Sequence, residues 1–233
     1  MLVAEAGALL NATVRHIPHD GADQGVNALL KRLLDIAVAA VLLVLVSPLL
    51  LAAATGIRLT SPGPVFYLAM RVGRGGRPFK MFKFRTMRPD SHKGSPITAP
   101  NDDRIFPFGR FLRGTKIDEL PQLVNILKGD MSLVGPRPED PGIVEKHYDA
   151  EMMKSLAVRP GITSPGTLLY MRRFREAVRN EDVTGSYVSG ILREKLQADI
   201  RYIDEQSVLR DIGLILRTVC AIAVSVVRSR GRE

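Results

Sequence analysis

Between Ile36 and Ile57 the chain carries no charged residue: twenty-two positions rich in Leu, Val and Ala, with Ser47-Pro48 near the middle. As a helix, such a run is long enough to cross the hydrocarbon core of a bilayer. Proline inside it removes one backbone donor and crowds the preceding turn, so the helix bends or breaks there. Ser47 can satisfy part of the freed backbone. The flanks add a second constraint. Lys31 and Arg32 precede the run. Arg58 follows it, and then Arg71, Arg74, Arg77, Lys80, Lys83, Arg85 and Arg88, with no acid from 71 to 88. Positive charge marks the cytoplasmic side of membrane segments. Both flanks therefore favour one side, and a helix that enters, turns at Ser47-Pro48 and returns meets that demand. A kinked spanning helix is the alternative. A signal peptide cleaved near Ala52-Ala53-Ala54 fits less well, because the run is long and begins far from the N-terminus. Residues 1–30 read as a loose leader.

A second segment carries the chemistry. In Lys116-Ile117-Asp118-Glu119-Leu120-Pro121-Gln122-Leu123-Val124-Asn125-Ile126-Leu127-Lys128-Gly129, apolar residues recur at 120, 123, 124 and 127, one face of a helix ended by Gly129. Asp118 falls where an N-cap would, and Glu119 in the first turn. The plainest reading is structural: Asp118 accepts a backbone N–H and Glu119 answers the helix dipole. The functional reading makes Asp118 a nucleophile or metal ligand at a helix end suited to anions. Two arginines bear on the choice. Arg113 lies five residues before Asp118. Arg137 lies eighteen after Glu119, held in Gly135-Pro136-Arg137-Pro138, where the flanking prolines stiffen the backbone. A guanidinium offers a planar fork of donors that matches phosphate oxygens. The same arginine can equally be a solvated side chain on a rigid turn.

The remaining features narrow the class. A net charge of +9 over 233 residues calls for an anionic partner. One cysteine, Cys220, excludes a disulfide framework, and His16, His19, His92 and His147 have no metal-ligand spacing. After Ser61-Pro62-Gly63-Pro64, residues 65–70 read as a strand. Gly73-Arg74-Gly75-Gly76 turns the chain, and residues 79–87 return as a second strand that interleaves Lys80, Lys83 and Arg85 with Phe82 and Phe84. Such a surface can bind RNA, but no RNP-type aromatic motif is present, and the adjoining apolar helix makes anionic lipid the partner rather than nucleic acid. Residues 89–107 read as a loop. Near the C-terminus, Leu192, Leu196, Ile200 and Ile203 define one amphipathic helix, which either packs in the core or lies in the membrane interface. Leu209, Ile212, Leu216 and Val219 define a second, whose apolar face suits the interface. The terminal Arg228, Arg230 and Arg232 favour anionic lipid.

Taken in order, these residues resemble the bacterial sugar transferase family, the monotopic polyprenyl-phosphate phosphoglycosyl transferases. The resemblance covers residues 30–162 closely. It rests on Lys31-Arg32 with Asp35, Ser47-Pro48, Ser61-Pro62-Gly63-Pro64-Val65-Phe66 and Phe79-Lys80-Met81-Phe82-Lys83-Phe84-Arg85-Thr86-Met87. It continues through Asp103-Arg104-Ile105, Gly109-Arg110-Phe111-Leu112-Arg113, Asp118-Glu119-Leu120-Pro121-Gln122 and Gly129-Asp130-Met131-Ser132-Leu133-Val134-Gly135-Pro136-Arg137-Pro138. It closes with Arg159-Pro160-Gly161-Ile162-Thr163. It implies an α+β monotopic membrane protein with a re-entrant helix broken at Ser47-Pro48, a small β-hairpin region and interfacial amphipathic helices. The expected organisation is a leader at 1–30, the membrane helix at 31–58 and a catalytic domain at 59–233, on the cytoplasmic face of the bacterial inner membrane. The chain reads as the catalytic core alone, without the extra spanning helices of longer relatives.

The implied reaction transfers a phospho-sugar from a UDP-sugar to undecaprenyl phosphate through a covalent aspartyl intermediate. The family's catalytic dyad falls on Asp118 and Glu119, nucleophile and general base. Its phosphate contacts fall on Arg113 and Arg137, and Lys83 and Arg85 join them as candidates. The diphosphate calls for Mg²⁺ (or Mn²⁺), with Asp118 and Glu119 as ligands. A homodimer is compatible with this reading. Ser164-Pro165-Gly166-Thr167-Leu168-Leu169-Tyr170 departs from the family's usual sequence, which bears on sugar specificity more than on mechanism. A non-catalytic membrane-attached binding module and a nucleotide-sugar hydrolase are the competing functions.

Overall fold

The computed structural model describes residues 26–89, 98, 102–177 and 183–230. The expected leader as far as residue 25, most of the expected loop at 89–107, and the side chains of Arg228, Arg230 and Arg232 lie outside the described residues. What remains is a mixed fold of helices and two small sheets.

The apolar run forms α1, Val26–Thr60, a helix of 35 residues and about 52 Å at 1.5 Å per residue. It is long and apolar enough to cross a membrane by length and composition. Ser47-Pro48 does not end it: Pro48 lies inside the helix. Proline cannot donate to the carbonyl four residues back, which is that of Val44. The Ser47 hydroxyl donates to that same carbonyl at 2.8 Å, so the lost backbone bond is replaced by a side-chain bond.

One stripe of α1 packs on the rest of the protein. Ala39 enters the main core, with Leu43 and Val46 against it. Ala53 and Ile57 join a second core with Phe84, Phe106 and Leu112. The opposite stripe carries Leu29, Val41, Val44, Leu45 and Leu51, each 59–73% exposed. A continuous exposed apolar face of that length marks a membrane or partner surface. Polar ties hold the N-terminal end. Lys31 pairs with Asp211 at 2.5 Å, and Asp35 accepts the Leu133 N–H at 3.1 Å.

The hairpin forms as expected, with adjusted ends. β1 (Phe66–Val72) and β2 (Pro78–Phe84) pair antiparallel from Phe66↔Phe84 to Val72↔Pro78. Then come α2 (Pro107–Thr115), a single 3-10 turn at Ile117–Glu119, and α3 (Gln122–Lys128). The expectation that Asp118 caps the carboxylate helix is corrected here. α3 starts after Pro121, and Asp118 sits a turn earlier with no capping hydrogen bond. Gly129 does end the helix, at φ 91, with its N–H returned to the carbonyls of Asn125 and Ile126. Arg32 of α1 donates to the last carbonyls of α3, Ile126 at 2.8 Å and Leu127 at 3.2 Å. The long apolar helix is thereby fastened to the helix that follows the carboxylates.

β3 (Ser132–Val134) and β4 (Gly161–Thr163) form a short parallel pair. Gly135 and Gly161 cross at backbone contact: a Cβ on Gly161 would lie 2.1 Å from the Gly135 nitrogen. No side chain fits there, and the crossing holds the start of the Pro136-Arg137-Pro138 turn. Between β3 and β4 lie α4 (Pro141–His147) and α5 (Ala150–Met153). The chain closes with α6 (Pro165–Ala177), α7 (Val183–Tyr187), a π-helical turn at Val188–Leu192, α8 (Arg193–Asp204) and α9 (Val208–Arg230).

The two C-terminal helices divide as their patterns allow. Leu192, Leu196 and Ile203 are buried, so the first is core. In α9, Leu209, Ile212, Leu216 and Val219 are 50–82% exposed, which leaves the expected interfacial face uncovered. Behind the Pro136-Arg137-Pro138 turn lies a buried polar knot. Glu139 accepts from both Lys195 and Tyr187, and Lys195 donates to the Tyr187 hydroxyl at 2.8 Å. A buried carboxylate and ammonium are tolerated only when paired in this way.

Candidate active site

The 3-10 turn at Ile117–Glu119 turns the two carboxylates into different surroundings. Lys116, which precedes it, adopts φ 62 and is the non-glycine residue with positive φ among the described residues. A left-handed lysine costs conformational energy, and such strain gathers where geometry serves a site.

Glu119 is held on both oxygens. Arg137 approaches as a fork: Nη1 donates to Oε2 at 3.1 Å, and Nη2 makes a short bond to Oε1. Lys83 of β2 donates to Oε1 at 3.0 Å. Burial alone would raise the pKa of Glu119. Arg137, then Lys83 and Lys116, outweigh it and hold the carboxyl well below its usual range. Glu119 in turn raises the pKa of Arg137 above the ordinary guanidinium value. Lys83 moves the other way: burial lowers it, against the pull of Glu119.

Asp118 is different. It is 6% exposed, and its Oδ1 is buried without a hydrogen-bond partner. Burial, then the neighbouring Glu119 charge, pushes its pKa up, and Lys83, Lys116 and Arg113 oppose that only in part. An unpartnered buried carboxylate oxygen is costly, and such a group waits for a partner. A hard cation or a phosphorus centre would satisfy it. Among the described residues no cluster of three or more His, Cys, Asp or Glu exists. The protein thus offers one or two carboxylates, the usual share for Mg²⁺ when phosphates supply other ligands.

Of the expected phosphate contacts, three converge. Arg137 and Lys83 meet at Glu119. Arg113 is half-buried at the end of α2, donates to Thr98 at 3.1 Å and acts electrostatically on both Asp118 and Glu119. Arg85 is the correction. Its Nε donates to the Pro64 carbonyl at 2.5 Å, Nη1 to the Ser61 hydroxyl at 2.7 Å and the Met87 carbonyl at 3.2 Å, and Nη2 to the Ser61 carbonyl at 2.8 Å. All three nitrogens are occupied, so Arg85 ties α1's end to the hairpin rather than binding phosphate. Arg85 lies just past the end of β2 at Phe84, two residues beyond Lys83.

Two residues reach the site without a signal in the sequence. Lys116 and Tyr170 line a groove of about 270 Å³ with Glu119 and Arg137. Tyr170 comes from the atypical Ser164–Tyr170 segment, which forms the start of α6. Burial pushes its phenol up to about 12, so it is a neutral donor at physiological pH. Its spacing from Thr167 and Met171 along α6 places all three on the groove.

The sequence model of the bacterial sugar transferase family matches residues 26–225. The UDP-glucose:undecaprenyl-phosphate glucose-1-phosphate transferase of Caulobacter vibrioides is 42% identical over 195 residues, 81% of this chain and 68% of that protein. The UDP-N-acetylgalactosamine-undecaprenyl-phosphate N-acetylgalactosaminephosphotransferase of Aeromonas hydrophila is 38% identical over 199 residues, 84% of this chain and 44% of the relative. The UDP-glucose:undecaprenyl-phosphate glucose-1-phosphate transferase of Escherichia coli is 37% identical over 199 residues, covering 84% and 40%. The chain thus spans about two thirds of the first relative and less than half of the other two.

Proposed function

The chain belongs to the bacterial sugar transferase family, and on that premise we propose that it moves a sugar 1-phosphate from a UDP-sugar to a polyprenyl (undecaprenyl) phosphate, releasing UMP. The names of its relatives support the donor and acceptor classes. The observation that carries the chemistry is the contrast at the dyad. Asp118 Oδ1 is buried and unpartnered, beside a Glu119 clamped by Arg137 and Lys83.

In the first step an Asp118 oxygen attacks the sugar-bearing phosphorus. The bond from that phosphorus to the bridging oxygen breaks, and its electron pair leaves with UMP. The enzyme is left with an aspartyl phospho-sugar. In the second step a phosphate oxygen of the acceptor attacks the same phosphorus, and the Asp118–phosphorus bond breaks to restore the carboxylate. The donor's diphosphate competes with Glu119 for the Arg137 fork and for Lys83. Once those cations turn to the substrate, the influences that depress Glu119's pKa weaken, and it becomes a better proton acceptor for the incoming phosphate. Arg113 adds positive charge near the reacting oxygens.

The site fits Mg²⁺: Asp118 Oδ1 would be its ligand, with Glu119 once released. The cation would neutralise the diphosphate and favour the ionised form of Asp118.

The same reading puts the catalytic domain on the cytoplasmic face of the inner membrane, with α1 re-entrant. Three observations support it. Basic residues stand near both ends of α1: Lys31 and Arg32 at one, Arg58 at the other. Its N-terminal end is tied to Asp211, Leu133 and α3. Its C-terminal half packs on Phe84, Phe106 and Leu112 of the same domain. A helix that crossed the bilayer would carry one of those ends away.

The test is an assay of detergent-extracted protein with a panel of UDP-sugars and undecaprenyl phosphate, following UMP. Acceptor-dependent UMP release is expected. Sugar-phosphate release that ignores the acceptor would instead mean a hydrolase, and no release across the panel would leave a binding module.

A further inference from the structure

We propose that the groove between α1 and α9 is the acceptor site, with the isoprenoid's phosphate at the Lys116–Arg137 end and its first isoprene units between the two helices. The proposal rests on the transferase reading and names where that acceptor lies.

The groove's lining is of two kinds. Lys116, Arg137 and Tyr170 stand with Glu119, which Arg137 clamps. The helices supply aliphatic walls: Leu42 and Val46 from α1, and Ile215, Val219 and Ile222 from α9. The α9 residues are spaced i, i+4, i+7, one face of the helix. An anionic head joined to an aliphatic chain matches this lining. A nucleotide sugar does not, since its base and sugar would desolvate polar groups against aliphatic walls.

Both aliphatic walls belong to helices whose other faces are bare. Val44 and Leu45 on α1 are 73% and 68% exposed, and Leu209 and Leu216 on α9 are 82% and 61% exposed. The groove is continuous with that apolar surface, so a membrane-borne ligand enters sideways without crossing water. The volume of about 270 Å³ lies just below the usual range of ligand pockets, ~300 to ~1,000 Å³. It suffices for the head and the nearest carbons of a long chain, whose remainder stays in the bilayer.

The α9 wall is also fixed to the catalytic parts. Thr218 is hydrogen-bonded to Thr163 of β4 and donates to the Leu214 carbonyl at 2.8 Å. β4 pairs with β3, the strand that leads into the Arg137 turn. α9 is thereby tied through β4 and β3 to the turn that presents Arg137.

Two arms test this with the full chain in lipid nanodiscs. The first is binding, independent of turnover. An isoprenyl phosphate with a diazirine on its first unit should label residues 42–46 or 215–222, and excess undecaprenyl phosphate should suppress the label where phosphatidylglycerol does not. Label elsewhere, or equal suppression by phosphatidylglycerol, overturns the proposal; the latter means an ordinary bilayer lipid occupies the groove. The second arm is kinetic. Ile215→Trp and Ile222→Trp fill the channel and should each raise the KM for undecaprenyl phosphate about tenfold, leaving the KM for the UDP-sugar unchanged. Leu216→Trp, on the outward face, should change neither. Unchanged acceptor KM in both channel variants overturns the proposal. Failure of the transferase reading looks different: wild-type protein then releases no UMP with any acceptor, whatever the photolabel reports.

Discussion

Arg137 grips Glu119 with two nitrogens, one to each carboxylate oxygen, although the two residues lie on opposite sides of α3 and β3 in the chain. Lys83, from a hairpin more than thirty residues earlier, completes the clamp. The neighbouring Asp118 is left with a bare oxygen. One dipeptide thus holds a carboxyl that resists ionisation and a carboxylate that resists protonation.

Geometry, and not charge alone, should therefore matter at residue 137. Arg137→Lys keeps the cation but loses the fork. We expect kcat/KM for the UDP-sugar to fall by about 10²-fold, a loss typical of removing one preorganised donor. A loss under threefold would show that a point charge is enough.

The two carboxylates should separate by substitution. Asp118→Asn should abolish both turnover and labelling of the protein by a UDP-sugar radiolabelled in its sugar. Glu119→Gln should slow turnover yet still accumulate label, because its proposed role comes after the covalent step. Label trapped in Asp118→Asn would move the nucleophile elsewhere.

Turnover should require a hard divalent cation. Excess EDTA should reduce UMP release to background, and Mg²⁺ or Mn²⁺ should restore it. The raised pKa of Asp118 adds a pH signature. Without the cation, the ionised fraction of Asp118 falls at a pH above the ordinary aspartate value of about 3.9. Adding Mg²⁺ should shift the acid limb of the rate profile to lower pH. An acid limb at the same pH across Mg²⁺ concentrations would remove Asp118 from the cation's shell.

Asp199 offers a stability test away from the chemistry. Buried, with Oδ2 unpartnered and Oδ1 accepting the Gly166 N–H at 2.8 Å, its carboxyl is pushed up to about 6 by burial. A carboxyl raised in the folded state stabilises fully below its unfolded pKa of about 3.9, and that contribution is lost as pH rises through about 6. Asp199→Asn keeps an acceptor for Gly166 without the charge. Relative to wild type, the variant's Tm should improve between pH 4 and pH 7 and then level off. A difference in Tm that does not vary with pH would show that Asp199 does not titrate in that window.

For α1, single cysteines at residues 25 and 90 in a Cys220→Ser background should both resist an impermeant thiol reagent in intact cells. Labelling of residue 25 from outside would mean that α1 spans. Pro48→Ala restores the backbone N–H that proline removes and should shift some molecules toward that labelled state, unless the ties of Lys31, Arg32 and Asp35 hold the near end in place.

Local pattern was enough for part of this protein. The uncharged run, the basic hairpin, the stop at Gly129 and the apolar faces of α8 and α9 depend on neighbours within a few residues, and periodicity and turn chemistry report those neighbours directly. The choice between core and interface for the two C-terminal helices was open in the sequence, because an apolar face does not name what covers it. Packing buried Leu196 and left Leu216 bare. The surroundings of residues 83, 85, 113, 116, 118, 119, 137 and 170 were decided at longer range. Lys83 and Arg85 are both basic and two residues apart, one in β2 and one just past its end, yet one meets Glu119 and the other is consumed by Ser61, Pro64 and Met87. Asp118 reads as a helix cap until Pro121 delays the helix. Tyr170 carries no motif, and it counts only because α6 lays it beside Arg137. Burial and charge partners set what a side chain can do, and both are supplied by segments far away in the chain, so the sequence named candidates and tertiary structure decided their surroundings.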